Sequence, residues 1–367
     1  KMNNIFPNKI YSEFCQHKLY DAFCFADRTD IKNDWMSTGT VSEYVGPIMR
    51  GIFAGGINGA TYYSTIEYIA ILTLANSTSF GDLLSARKEM GAGSNAIYGV
   101  FGGGTDNTVT KINHIDIITI GTTSNSSNFG NLTVARTFLT GVSDNTYVVF
   151  AGGIDTGSAN VNTMDRITTA TAPLSNAVSF GNLTSNKSKL TGASNGTKGF
   201  FGGGYIAANT NVIESITIAI MADAVSFGTL SVAKRELTAV GSSTNIIFAG
   251  GYTTIGINTM EYIATAIGGV TFNFGTLLAN TYDLSSTDNK YRGVFAGGLT
   301  PDTKAMEYIN IEATPTVIAV SFGDLTVEKH SMANGICSGN WDFFINNIIF
   351  LIKIYTKLMF RVEKHII

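Results

Sequence analysis

The sequence predicts an all-β propeller built from four-stranded blades, and three observations carry that prediction. Two apolar anchors recur with one shared period near 48 residues, turn signals cut each period into four strand-sized runs, and the repeat shows no 3.6-residue periodicity.

The first anchor is an apolar run ending in small residues: GIFAGG (51–56), GVFGGG (99–104), VVFAGG (148–153), GFFGGG (199–204), IIFAGG (246–251) and GVFAGG (293–298). Its phenylalanines, Phe53, Phe101, Phe150, Phe201, Phe248 and Phe295, are spaced 48, 49, 51, 47 and 47 residues apart. The second anchor is Phe-Gly, usually after Ser, at Phe80, Phe129, Phe180, Phe227, Phe274 and Phe322. It keeps almost the same spacing, so both anchors belong to one unit.

Strand a follows a basic residue, as in the run after Arg136. A polar turn comes next, such as Asp144-Asn145 or Asn195-Gly196, whose residue types tolerate the positive φ of a tight hairpin. Strand b is the Phe-x-Gly-Gly run. Its glycines permit a sharp turn and a close neighbour. After a loop of variable length, strand c carries TIEYI (65–69), TMEYI (259–263) or AMEYI (305–309), and strand d leads into the second anchor.

The order basic residue, apolar strand, Gly-Gly and Tyr-bearing strand resembles the kelch repeat. The resemblance covers about residues 8–345, with the Phe of SFG standing where kelch repeats place a Trp. The SFG-x-L style is also similar to kelch-like proteins encoded by tailed phages and other large viruses. The resemblance implies a virion or extracellular protein, such as a tail or fibre component involved in host attachment. Its partners would be a cell-surface glycan or protein and other virion proteins.

The ends suggest how the ring closes. Residues 7–30 read as strands c and d of a further unit, Glu328–Cys337 as strand a, and 341–346 as a degenerate strand b. Shared between both termini (8–30 with 328–346), these would complete a seventh blade and leave no open sheet edge. Six blades is the alternative. The propeller is thus expected over 8–346, with Cys24 and Cys337 in one blade, as free thiols or a disulfide. In the tail, 347–367, Lys353, Lys357, Arg361 and Lys364 form one stripe opposite Leu351, Ile354, Leu358 and Val362, the pattern of an amphipathic helix.

Composition narrows function. Charged residues are 14% of the 367 and the net charge is −3, which gives no electrostatic footprint for nucleic acid. No apolar stretch reaches the length of a membrane span, and the first residues, KMNNIFPNKIY, lack a signal-peptide core. The three cysteines and four histidines show no metal-ligand spacing, and no phosphate loop or nucleophile elbow is present. No catalytic set, metal or cofactor is expected.

Strand c holds one acid per unit: Glu67, Asp116, Asp165, Glu214, Glu261 and Glu307. They are expected to pair with the basic residues before strand a (Arg87, Arg136, Lys187, Arg235, Lys329) or with backbone N–H groups. The residues after SFG (Asp82, Asn131, Asn182, Thr229, Thr276, Asp324) are expected to cap turns.

Variation between units concentrates in the b–c loops, where binding on a rigid scaffold resides. Tyr62, Tyr63, Asp106, Asp155, Tyr205 and Tyr252 are therefore the candidate ligand-binding residues. The expected function is non-enzymatic recognition. A cellular kelch-type adaptor is the first alternative, and a carbohydrate-active propeller enzyme, needing an asymmetric cluster of acids, is the second.

Overall fold

The computed structural model describes residues 49–169, 175–313, 316–333 and 336–337. Among the described residues every helix or strand is a β-strand, and six sheets ordered a–b–c–d form the blades of a β-propeller. Blade 1 comprises Ile336–Cys337, Arg50–Ala54, Thr65–Ala70 and Thr78–Asp82. Blade 2 comprises Gly91–Ser94, Tyr98–Gly102, His114–Thr119 and Ser127–Asn131. Blade 3 comprises Thr140–Ser143, Tyr147–Ala151, Thr163–Thr168 and Val178–Asn182. Blade 4 comprises Thr191–Ser194, Lys198–Gly202, Val212–Thr217 and Val225–Thr229. Blade 5 comprises Thr238–Gly241, Asn245–Ala249, Ile257–Ala264 and Phe272–Thr281. Blade 6 comprises Ser285–Asp288, Arg292–Ala296, Ala305–Asn310 and Val320–Asp324.

All contacts within the four-stranded blades are antiparallel. The a strands of successive blades touch one another, so they line the axis. Strand b lies in the middle of its blade and is covered on both faces by the neighbouring blades. This is why it reads as an unbroken apolar run instead of an alternating one. Its six phenylalanines are at most 1% exposed. The core divides into clusters between blades. One joins blades 2 and 3 through Val100, Phe129, Val148 and Phe150, and another joins blades 6 and 1 through Phe53, Ile71, Met306 and Phe322.

The second anchor does two jobs. Its Phe is buried in five blades, and Phe227 is half-buried against Phe200 with ring centroids 4.9 Å apart. Its Gly leaves room for the next blade: a Cβ on Gly81 would sit 2.2 Å from the Ser124 carbonyl oxygen. The c–d pairing shifts register beside each strand-c acid, as between Ile66 and Glu67, a bulge that bends strand d.

Closure differs from the seven-blade expectation. Glu328–Cys337 does supply a strand a, but Ile336–Cys337 pairs with Ile52 and Gly51, completing blade 1. The reason is that the GIFAGG run has no strand a before it among the described residues. Ile336–Cys337 takes that edge, and the sixth blade packs directly on the first, with Ser77 N–H donating to the Asp324 carbonyl (2.9 Å). The segments 8–30 and 341–346, Cys24 and the tail 347–367 lie outside the described residues.

Candidate functional site

The d–a connections converge on one mouth of the channel. The units read RKEM (87–90), RTFL (136–139), KSKL (187–190), KREL (234–237), TYDL (281–284) and KHSM (329–332): a first residue that is basic in five of the six, a variable third and a fourth that is Leu or Met. The fourth residue is buried in every blade. The third, Glu89, Phe138, Lys189, Glu236, Asp283 or Ser331, takes a left-handed φ between 53° and 62°. These six residues join in a closed cycle of backbone hydrogen bonds. Phe138 N–H donates to Glu89 O (3.0 Å), Lys189 to Phe138 (3.0 Å), Glu236 to Lys189 (2.9 Å), Asp283 to Glu236 (2.7 Å), Ser331 to Asp283 (3.0 Å) and Glu89 to Ser331 (2.8 Å). The cycle holds the conformation that L-residues otherwise avoid, and together with the buried Leu and Met side chains it lines a small depression of about 50 Å³.

The ring is regular in backbone and irregular in chemistry. Glu89 accepts from Thr137 Oγ1 (2.7 Å) and pairs with Lys88 (2.7 Å). Lys189 bonds Glu236 (2.5 Å) and lies 4.4 Å above the Phe138 ring. Ser331 donates to Asp283. Burial, reinforced by the charge of Glu236 and opposed by the Ser331 hydroxyl, pushes the Asp283 carboxyl up to about 6. Asp283 therefore changes charge closer to neutral pH than an ordinary carboxyl does.

A second circle surrounds the first, where each b–c loop pairs with a d–a connection. Examples are Arg235 with Tyr252, Ser188 with Tyr205, and Tyr282 with Leu299. On the blade 4 to blade 6 side this makes an aromatic ladder. The Arg235 guanidinium lies 5.3 Å from the Tyr205 ring and 4.6 Å from Tyr252, and Tyr252 meets Tyr282 edge-on at 5.0 Å. Asn209 locks the arrangement by accepting from Arg235 (3.0 Å) and donating to the Tyr252 carbonyl (3.0 Å).

Of the residues singled out from sequence, Tyr205 and Tyr252 come together here. Tyr62 and Tyr63 sit in blade 1, each with a lysine amine near its ring, Lys88 at 5.7 Å and Lys329 at 5.8 Å. Asp106 and Asp155 close their own loops. Asp106 accepts from the Thr108 hydroxyl and the N–H groups of Thr108 and Thr110, and Asp155 accepts from the Ala159 N–H (2.9 Å). The inner ring is absent from the sequence reading, although its signal was available as one variable position between a residue that is basic in five units and a fixed Leu or Met.

The strand-c acids are scaffold in five blades: Lys329–Glu67 (2.6 Å), Arg87–Asp116 (2.7 Å), Arg136–Asp165 (3.1 Å), Lys187–Glu214 (2.7 Å) and Lys234–Glu261 (2.7 Å). The fifth partner is Lys234 and not Arg235, because the residue that reaches the acid lies three before the buried Leu. The next residue turns to the mouth. The residue after SFG also differs in role from the expected cap. In four blades its N–H is itself capped by the following blade, as Asn182 N–H by Asp223 Oδ1 (2.8 Å) and Asp324 N–H by Asn76 Oδ1 (2.9 Å).

Among the described residues no group of three or more His, Cys, Asp or Glu side chains could hold a metal ion, and no helix is long and apolar enough to cross a membrane. No protein-family model matches the chain, and no curated protein matches it.

Proposed function

We propose that the protein is a non-enzymatic recognition propeller whose ligand seats at the mouth formed by the d–a connections and b–c loops. One observation carries this reading: a single backbone geometry, repeated in all six blades, presents Glu, Phe, Lys, Glu, Asp and Ser. Positions that serve the scaffold repeat their chemistry, as the basic–acid pairs do. A position that keeps its geometry and varies its side chain makes a distinct surface for one partner. The tyrosine ladder adds flat apolar faces with hydroxyl edges beside carboxylates, a mix suited to a sugar or a protein surface. We place this activity in a virion, as host attachment by a tail or fibre component; that setting rests on the SFG style of the repeat.

The test is a glycan-array and cell-surface binding assay. A Tyr205→Ala/Tyr252→Ala variant and a Glu236→Gln/Asp283→Asn variant should each bind about tenfold or more weakly, the loss expected from removing central contacts. Tyr62→Ala/Tyr63→Ala, in blade 1 and outside the ladder, should bind nearly as the parent does. Equal binding by all the variants would remove the mouth from consideration.

A carbohydrate-active enzyme is the second reading. Burial holds the Asp283 carboxyl up at about 6, and a carboxyl raised in this way suits a general acid. Turnover of a bound glycan, abolished in Asp283→Asn, would favour it.

A further inference from the structure

Blade 6 departs from the other five where its d–a connection meets strand c, between the buried Thr281 and the half-buried Glu307. The second glycine of each strand-b run donates its N–H to the residue that opens the next d–a motif: Gly56 to Arg87, Gly104 to Arg136, Gly153 to Lys187, Gly204 to Lys234, Gly251 to Thr281 and Gly298 to Lys329. These six acceptors occupy one equivalent backbone position. Five are cations that reach the strand-c acid of the blade they lead into. The sixth is Thr281, and among the described residues Glu307 has no basic partner, only the Leu278 N–H at 2.7 Å.

The threonine hydroxyl follows the path that the basic side chains take. A Cβ on Gly56 would lie 3.5 Å from Lys329 Cδ, and one on Gly153 3.5 Å from Arg136 Cδ. One on Gly298, the counterpart in blade 6, would lie 2.2 Å from Thr281 Oγ1. Thr281 is 7% exposed, and its hydroxyl has no hydrogen-bond partner. Leaving such a group unmatched is costly.

The receiving oxygens are also in place. In blade 2, Arg87 donates to the carbonyls of Gly103 (3.2 Å), His114 (3.3 Å) and Phe101 (3.3 Å). Blade 6 has Phe295 opposite Glu307 as blade 2 has Phe101 opposite Asp116, and Gly297 donates to Ala305 O (3.1 Å) as Gly103 does to His114 O (3.0 Å). The carbonyls of Phe295, Gly297 and Ala305 therefore stand where a guanidinium is received in blade 2.

One carboxylate, carbonyls and a hydroxyl make an all-oxygen donor set of single negative charge, the chemistry of a weakly hydrated monovalent cation. We propose that blade 6 binds a potassium- or ammonium-sized cation between Glu307 and Thr281, replacing the amine or guanidinium that the other blades carry covalently. The acids compare in the same sense. Burial raises the carboxyl of Glu67, but Lys329 together with Ser77 and Thr326 brings it below its usual value, whereas burial leaves Glu307 raised.

Thermal unfolding in potassium, ammonium and choline chlorides at matched ionic strength tests the proposal. The parent protein should melt roughly 2–4 °C higher in potassium or ammonium than in choline. Glu307→Gln should lose that difference. Thr281→Lys, which supplies the missing amine, should melt higher than the parent in choline and ignore the choice of salt. Identical melting of the parent in all three salts would overturn the proposal, as would a potassium response that survives in Glu307→Gln or Thr281→Lys.

Discussion

Arg136 and Asp165 lie 3.1 Å apart with neither side chain exposed, and four further blades repeat the pair. Removing two charges from water is expensive, so such a pair holds only because both partners are hydrogen-bonded as well. Asp165 also accepts from Thr133 Oγ1 (2.6 Å) and the Thr133 N–H (3.2 Å), while Arg136 reaches the Phe150 carbonyl (3.3 Å). The pair thus ties strand c, strand b and the d–a connection together. Arg136→Met should leave Asp165 as an uncompensated buried charge and cost about 3–5 kcal/mol, measured by urea unfolding. Arg136→Met combined with Asp165→Leu should recover much of that loss, because it is the unpaired charge that is penalised.

At the scale of the strand, the SFG segment acts as a hinge between blades. Its Phe fills the space between sheets, its Gly lets the next c–d turn approach, and the following carbonyl accepts from that turn. Ser126 N–H donates to Asp82 O (2.8 Å), Ala224 to Asn182 O (2.8 Å) and Ala319 to Thr276 O (2.9 Å). In blades 4 and 5 the approach is close enough that Gly269–Val270 and Val317–Ile318 add as parallel fifth strands. Gly81→Ala should displace the Ser124 turn and cost roughly 1–3 kcal/mol, the range for a forced overlap in a packed place. Gly121→Ala, with nothing within 4 Å of its added Cβ, should unfold at the parent's urea concentration or above.

At the scale of the whole molecule, closure depends on how Ile336–Cys337 finds blade 1. Ile336 is 3% exposed, pairs with Ile52 and packs with Ala54, Ile118 and Ala333. It also reaches blade 2, where a Cβ on Gly99 would meet its Cδ1. Closure makes each blade a neighbour of two others, so local damage is shared around the ring. Ile336→Ala should lower stability by about 2–5 kcal/mol, and circular dichroism should follow this as one cooperative transition. A separate early transition for blade 1 would show that closure does not couple the blades.

The sequence by itself determined the repeat, the four-strand unit, the apolar strand b and the acid–base pairing. Each of these is local, or recurs with the period, and so leaves a pattern in the chain. Tertiary structure decided the rest. Whether 328–337 founds a seventh blade or completes the first depends on which sheet edge is open, and the paired Gly51 and Cys337 are far apart in the chain. Lys234 and Arg235 are both basic neighbours, and only the direction of the backbone separates the buried partner from the one that stacks on Tyr205 and Tyr252. The mouth was hidden for a related reason: Glu89, Phe138, Lys189, Glu236, Asp283 and Ser331 have no one side-chain type in common. They become a set only when a six-membered cycle of backbone hydrogen bonds brings them around one axis.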